Sequence, residues 1–280
     1  KQGFDSPRGY QIQKAPVIRR FFVFGWCLFP YGFPRRMVHA DNLSHETGDA
    51  VMNELTNSAL ERLKADELSL GIGIRITNSP AIARTMAVGG FDWLFIDLEH
   101  GNLGIESCAH VSVAGLDAGI APLVRVPPGQ FWMASRALEG GALGIVMPNV
   151  MSPDEAKHLV DVVKFPPLGH RNVGGPPVHT GHTPRGYDAF AEMYNASSLA
   201  VAMVETSEAI AQVDAIAAVE GIDVVMIGCN DLSTSMGISG QTDAPQIVDA
   251  FEKLTAACRK HGKWAGMGGI PNDAHARTYI

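Results

Sequence analysis

Glu205 in LAVAMVETSEA and Asp231 in VVMIGCNDLSTSMG each close an apolar, β-branched run, and the two runs lie one strand–helix unit apart. Each run reads as a buried parallel strand, so both carboxylates are expected on the same rim of a sheet. Two hard oxygen donors with few other ligands nearby describe a divalent-cation site that keeps positions open for a substrate. Asp97, Glu99 and His100 end the run FDWLFIDLEHG, and Arg125 ends its strand in LVRVP. Four candidate strands thus deliver ionisable groups to one rim, where burial without partners is costly. A cluster of mixed sign suits an anionic substrate held on a cation, and points to an enzyme.

The residue types suggest roles. Glu205 and Asp231 accept Mg²⁺, Mn²⁺ or Co²⁺ equally well through oxygen. Arg125 offers a planar, permanently charged fork to an oxyanion or carboxylate. His100 has an unperturbed pKa near neutrality and is the natural general base or acid, with Asp97, three residues earlier, placed to orient it. The turn Gly228-Cys229-Asn230-Asp231 can aim backbone N–H groups at an anion. No lysine ends a candidate strand, which disfavours a Schiff base and leaves carbonyl polarisation to a metal.

Those groups need a frame that brings strand ends together. Candidate strands are Leu70–Ile76, Phe91–Asp97, Pro122–Val126, Leu143–Pro148, Leu199–Glu205, Ile222–Gly228 and Trp264–Met267, with helical stretches between them. Ser79-Pro80, Ser152-Pro153-Asp154-Glu155 and Thr206-Ser207-Glu208 supply helix-start signals. Repeated strand–helix units imply parallel strands with right-handed crossovers, and this number of them favours an α/β fold, the (β/α)8 TIM barrel. An open doubly wound sheet is the alternative, weakened because no glycine-rich phosphate loop follows the first strand. The seventh helix reads as ending near Ile280, so the eighth strand and the C-terminal helices read as absent from this chain.

Residues 1–51 are set apart as a non-barrel N-terminal extension, unordered or non-native, and 52–280 as the C-terminally incomplete barrel. Phe21–Phe33 (FFVFGWCLFPYGF) is apolar but too short to span a bilayer. Val38-His39-Ala40 mimics a leader cleavage site, although arginines between an apolar core and such a site are unusual. A formal charge of −7 argues against nucleic acid or an anionic membrane as the main partner. The four cysteines have no CxxC spacing, so neither a zinc cage nor a disulfide framework is expected, and a reducing cytoplasm is the default. The long connection from Lys164 to Ser198 reads as a lid or a subunit contact. Within it His170, His179 and His182 read as solvated, and Arg171 as fixing the loop. Cys229 reads as a small buried thiol and Trp93 as core.

The runs FDWLFIDLEHG, PLVRVP, KFPPLGHRNVGG, VAMVET and IDVVMIGCNDLSTSMG resemble, in order, those of the HpcH/HpaI aldolases, metal-dependent class II pyruvate aldolases of the 4-hydroxy-2-oxoheptanedioate aldolase type. The resemblance covers about Met52 to Met267. It implies a (β/α)8 barrel, a homo-oligomer (a hexamer or another trimer-based assembly) with swapped C-terminal helices, and reversible cleavage of 4-hydroxy-2-oxo acids to pyruvate and an aldehyde through a metal-stabilised enolate. It further implies Glu205 and Asp231 as metal ligands, Arg125 as the enolate-stabilising arginine and His100 with Asp97 as the base dyad. Backbone amides near Asn230 and Asp231 would hold the pyruvate carboxylate. Met203 stands where many members have a glutamine, and Arg75 lies on a strand where some have tryptophan. Related activities are the alternatives: an oxaloacetate decarboxylase, a macrophomate synthase-like or a 2-dehydro-3-deoxyglucarate aldolase-like enzyme, or a non-catalytic fragment.

Overall fold

The computed structural model describes residues 21–25, 55–174, 177–270, 276–277 and 279. Eight parallel strands close into a barrel in chain order. They are β1 (Phe21–Gly25), β2 (Ser69–Ile74), β3 (Trp93–Asp97), β4 (Ala121–Arg125), β5 (Gly144–Met147), β6 (Leu199–Val204), β7 (Val224–Gly228) and β8 (Trp264–Ile270). The (β/α)8 architecture expected from the alternation is the one present, and the seven strands read after Leu70 are β2 to β8. Among the described residues no strand follows β8. Its outer edge and that of β2 instead meet β1, with Val23 opposite both Leu70 and Met267. This corrects the boundary at residue 51, because FFVFG lies in the segment placed outside the barrel. Its aromatic and β-branched residues suit a strand, and pairing satisfies two rows of backbone groups that would otherwise stay open. The leader-like Val38–Ala40 and the remainder of 26–54 lie outside the described residues.

Ten helices alternate with the strands in the described residues: α1 (Ser58–Lys64), α2 (Ala81–Val88), α3 (Ile105–Ala118), α4 (Phe131–Glu139), α5 (Pro153–Val163), α6 (Tyr187–Ser197), α7 (Ser207–Ala211), α8 (Val213–Ala217), α9 (Cys229–Ser235) and α10 (Pro245–His261). The start signals work as their chemistry requires. Ser152 and Glu155 form a reciprocal capping box, and the Thr206 hydroxyl accepts the Ala209 N–H. Ser79 is one residue too early, since α2 opens after Pro80. None of these helices is long and apolar enough to cross a membrane.

Side-chain alternation sorts each strand into two layers. Trp93, Phe95, Leu123, Leu199, Val201, Met203, Val224 and Met226 pack in the barrel interior, while Leu94, Ile96, Val124, Ala200, Ala202, Val225 and Ile227 face the helices. Trp93 is fully buried, as its core reading requires. It fills the space over Gly71, where a β-carbon would sit 2.2 Å from the indole. Continuing the inward series by two residues reaches Asp97, Arg125 and Glu205. Period-two geometry alone therefore carries these three to the upper, C-terminal mouth.

The connection from Lys164 to Ser198 is not a lid on that mouth. It follows a helix, so it lies at the N-terminal end of the barrel, where an aromatic cluster of Phe165, Phe190 and Tyr194 anchors it. Tyr194 donates to the Ala142 carbonyl just before β5. Buried Lys164 donates to the Ser198 carbonyl and pairs with Asp223 at 2.9 Å, below β6 and β7. Arg171 fixes the loop as expected: it lies over Tyr194 and Phe165 and bonds Glu139 at 3.1 Å. His179 departs from the solvated reading. Its Nε2 meets the Ala142 carbonyl at 3.0 Å, its ring packs on Tyr194, and burial pulls its pKa down to about 4. His170 and His182 are exposed.

Candidate active site

The strand ends converge on one cavity of about 500 Å³ at the C-terminal mouth, lined by Arg75, His100, Arg125, Met203, Glu205, Asn230 and Asp231 together with backbone of β7 and β8. This brings together His100, Arg125, Met203, Glu205, Asn230 and Asp231 from the sequence reading, while Asp97 and Glu99 are not among the lining residues.

Asp97 and Arg125 end adjacent strands at the same register. The guanidinium therefore meets the carboxylate edge-on, Nε to Oδ1 at 3.0 Å and Nη2 to Oδ2 at 2.6 Å. Such a two-point contact fixes the plane of the arginine. On its other side Nη1 lies 3.1 Å from Glu99 Oε2, and the Phe95 ring lies beneath. Burial opposes the charge on Arg125, but Asp97, Glu99 and Glu205 outweigh it and raise the pKa further.

The expected Asp97–His100 dyad takes a different form. Asp97 Oδ1 accepts the backbone N–H groups of Glu99 and His100, both at 3.1 Å, and so shapes the turn after β3 without holding the imidazole. The ring lies instead 4.0 Å from Glu99 Oε2 and is half exposed toward the cavity. Burial raises the Glu99 pKa, against the pull of Arg125 and His100. Arg75, one residue beyond β2, donates through Nε to the His100 carbonyl and lies 3.4 Å from Asp97 Oδ2.

Glu205 follows β6 and is 3% exposed. Its Oε2 accepts the Asn149 N–H at 3.0 Å; Asn149 has a positive φ of 51°, which aims that amide inward. Burial drives the Glu205 pKa up to about 8, with Asn149 opposing and the negative charge of Asp231 adding to the rise. Asp231 sits in the first turn of α9, where N–H groups have no intrahelical acceptor. A cation beside Glu205 and Asp231 would offset the cost of holding both carboxylates ionised. Among the described residues no group of three or more His, Cys, Asp or Glu is arranged to hold a metal. Glu205 and Asp231 are the two carboxylates that line the cavity, and two such oxygen donors would suit a hard divalent ion that takes its other oxygens from water and substrate.

Asn149 is the addition to the residues named from sequence, and Glu99 and Arg75, named there without a role, gain contacts here. Each follows a strand within two residues, so the rule that chemistry gathers at strand C-termini was the signal available. Cys229 is fully buried, and desolvation pushes its thiol well above the usual range, which leaves it inert.

Comparison with known proteins places the chain in a family. The sequence model of the HpcH/HpaI aldolase/citrate lyase family matches residues 76–267. The chain belongs to that family. A 4-hydroxy-4-methyl-2-oxoglutarate aldolase of Chaetomium globosum is 39% identical over 219 residues, covering 78% of this chain and 81% of the relative. A hydroxypyruvate/pyruvate aldolase of Agrobacterium fabrum is 34% identical, over 75% and 78% of the two chains. The crystal structure of an HpcH/HpaI aldolase from Desulfitobacterium hafniense superimposes with a TM-score of 0.74 at 30% identity, over 78% of this chain and 84% of that one. The HpcH/HpaI chain described here is thus an aldolase or lyase in general class.

Proposed function

We propose that this HpcH/HpaI family member is a divalent-metal-dependent lyase that reversibly cleaves 4-hydroxy-2-oxo acids to pyruvate and a carbonyl fragment, in the simplest case an aldehyde. The observation that carries the reading is the convergence of Glu205, Asp231, Arg125 and His100 on one cavity. A cation held by Glu205 and Asp231 supplies the positive charge that polarises the 2-oxo group.

The side chains do the rest. First-turn amides of α9 at Asn230 and Asp231 suit the C1 carboxylate. Arg125, clamped by Asp97 and Glu99, presents a fixed guanidinium where negative charge collects on the C2 oxygen as the C3–C4 bond breaks. His100 accepts the C4 hydroxyl proton, so C4 becomes the new carbonyl carbon and the C3–C4 electron pair passes to C3 and the C2 oxygen. Protonation at C3 then gives pyruvate. Met203, buried and apolar, forms part of the wall beneath. Exposed Ile76, Trp132 and Met151, all on segments that follow strand C-termini, support the expected homo-oligomer, with the cytoplasm as its expected compartment.

The test is a pyruvate-release assay over short and long 4-hydroxy-2-oxo acids. Turnover is expected to stop with chelator, to return with Mg²⁺, Mn²⁺ or Co²⁺, and to fall at least a hundredfold in Arg125→Ala, on the scale of losing an oxyanion donor. Chelator-resistant turnover, or full activity in Glu205→Ala, would overturn the assignment.

A further inference from the structure

Resting on the divalent-cation site proposed above, we infer that Asn149 is a positioning residue for Glu205. Its left-handed backbone holds an amide on Oε2, leaves Oε1 as the oxygen offered to a cation, and so sets divalent-cation affinity from outside the cavity. Asn149 is not among the residues that line the cavity, and its own side chain is exposed. What it contributes is a backbone N–H, 3.0 Å from Glu205 Oε2. Oε1 accepts no hydrogen bond from a described residue and lies against Gly228, where a β-carbon would come within 2.3 Å. One oxygen of the carboxylate is tied, and the other is left for a ligand.

The turn after β5 keeps that amide in place. β5 ends at Met147, and the amides of residues 149 to 152 then all meet acceptors at β6 or α5. The Asn149 N–H meets Glu205, and the Val150 N–H meets the Met203 carbonyl of β6 at 3.0 Å. Those of Met151 and Ser152 go to the Glu155 carboxylate in the first turn of α5, at 2.6 and 3.2 Å. β5 thus holds the chain before residue 149, and β6 and α5 hold it afterwards. With both flanks fixed, the sign of φ at 149 decides which way the 148–149 peptide faces. That φ is 51°, a region that glycine and asparagine enter at low cost and a β-branched residue enters only under strain. The exposed side chain offers no packing reason for the conformation. The bond to Glu205 does, since strained backbone persists where its surroundings over-determine it.

The experiment is calorimetric titration of the metal-free full chain with Mn²⁺, with Tm in chelator measured beside it. Asn149→Val is expected to weaken Mn²⁺ binding by about tenfold or more, the scale of losing a ligand's supporting contact. Asn149→Gly removes the carboxamide but enters the left-handed region freely, so its Kd should stay within about threefold of the unsubstituted chain. Loss of folded protein lowers the stoichiometry of the titration and not the affinity. Should Asn149→Val fail to fold, Asn149→Ala, with a milder left-handed penalty, takes its place with the same ordering expected. A turn with a purely structural role would lower Tm in Asn149→Val and leave Kd unaltered, which overturns the inference while the cation site stands. Equal weakening in Asn149→Gly and Asn149→Val also overturns it, because the carboxamide and not the backbone would then be the cause. No saturable Mn²⁺ binding by the unsubstituted chain overturns the inference and the cation site together.

Discussion

Gly228 and Glu205 are in contact through a space that admits no side chain: a β-carbon on Gly228 would lie 2.3 Å from Glu205 Oε1. The glycine is at φ −88°, ψ 95°, a conformation open to any residue, so its requirement is steric and not conformational. Gly228→Ala is therefore expected to push the carboxylate aside and weaken divalent-cation affinity by 10- to 100-fold, roughly the cost of disturbing a ligand's support. Calorimetric titration with Mn²⁺ measures this directly. Unchanged affinity would mean that Glu205 Oε1 is not a ligand.

Cross-strand pairing, and not sequence proximity, sets the partner of Asp97. Asp97→Asn removes the charge facing buried Arg125, and by the usual cost of orphaning one member of a buried pair it should destabilise the fold by about 3 kcal/mol. A double-mutant cycle in urea unfolding checks the pairing. Coupling with Arg125→Met is expected to reach roughly 2 kcal/mol, and coupling with His100→Ala to stay within about 0.5 kcal/mol. The reverse ranking would restore the dyad suggested by the spacing.

That contrast marks where the sequence stops being informative. The inward series 93-95-97, 121-123-125 and 199-201-203-205 is legible because alternation has a fixed period, and it delivers Asp97, Arg125 and Glu205 to the mouth without any knowledge of register. Which carboxylate meets which cation depends on the offset between β3 and β4, and one sequence does not encode that offset visibly. Asn149 was hidden for a similar reason: nothing in PNV announces that its amide turns toward Glu205. The Lys164–Ser198 loop was legible in principle. A connection from a helix to the next strand must lie at the N-terminal end of a β/α barrel, so its length suggested a lid only while its direction was left out. The strand at Phe21–Gly25 is hard to read from sequence because one of its partners, β8, is at the far end of the chain and a long segment separates it from the other, β2.

The raised pKa of Glu205 makes stability depend on pH in a definite direction. Its ordinary value is 4.5 and its folded value about 8, so between these the folded state holds a proton that the unfolded state has released. Stability of the metal-free protein from this group is then greatest below the lower value and falls as pH rises through the upper one. Divalent cations bind the deprotonated form and act oppositely. The rise in Tm on adding Mn²⁺ is expected to be several degrees larger at pH 8.5 than at pH 5.5. Differential scanning fluorimetry with and without chelator measures it, and an equal rise at both pH values would show that Glu205 is not the group being discharged.

Closure of the barrel through β1 has its own consequence. Val23 sits between Leu70 of β2 and Met267 of β8, and its backbone belongs to ladders on both sides. Val23→Pro deletes a donor from a strand with neighbours on either edge, a position where proline is essentially never accommodated. Without β1, two long parallel edges open, and open edges pair with other chains. The substitution is therefore expected to lower Tm by several degrees and to move material into aggregates on size exclusion, whereas Val23→Thr, which keeps the N–H and the β-branch, should do neither. The site would suffer with it, since Gly268 and Ile270 of β8 line the cavity and Gly25 is the pairing partner of Ile270. A Val23→Pro protein with unaltered melting and full turnover would show that the catalytic barrel closes without this strand.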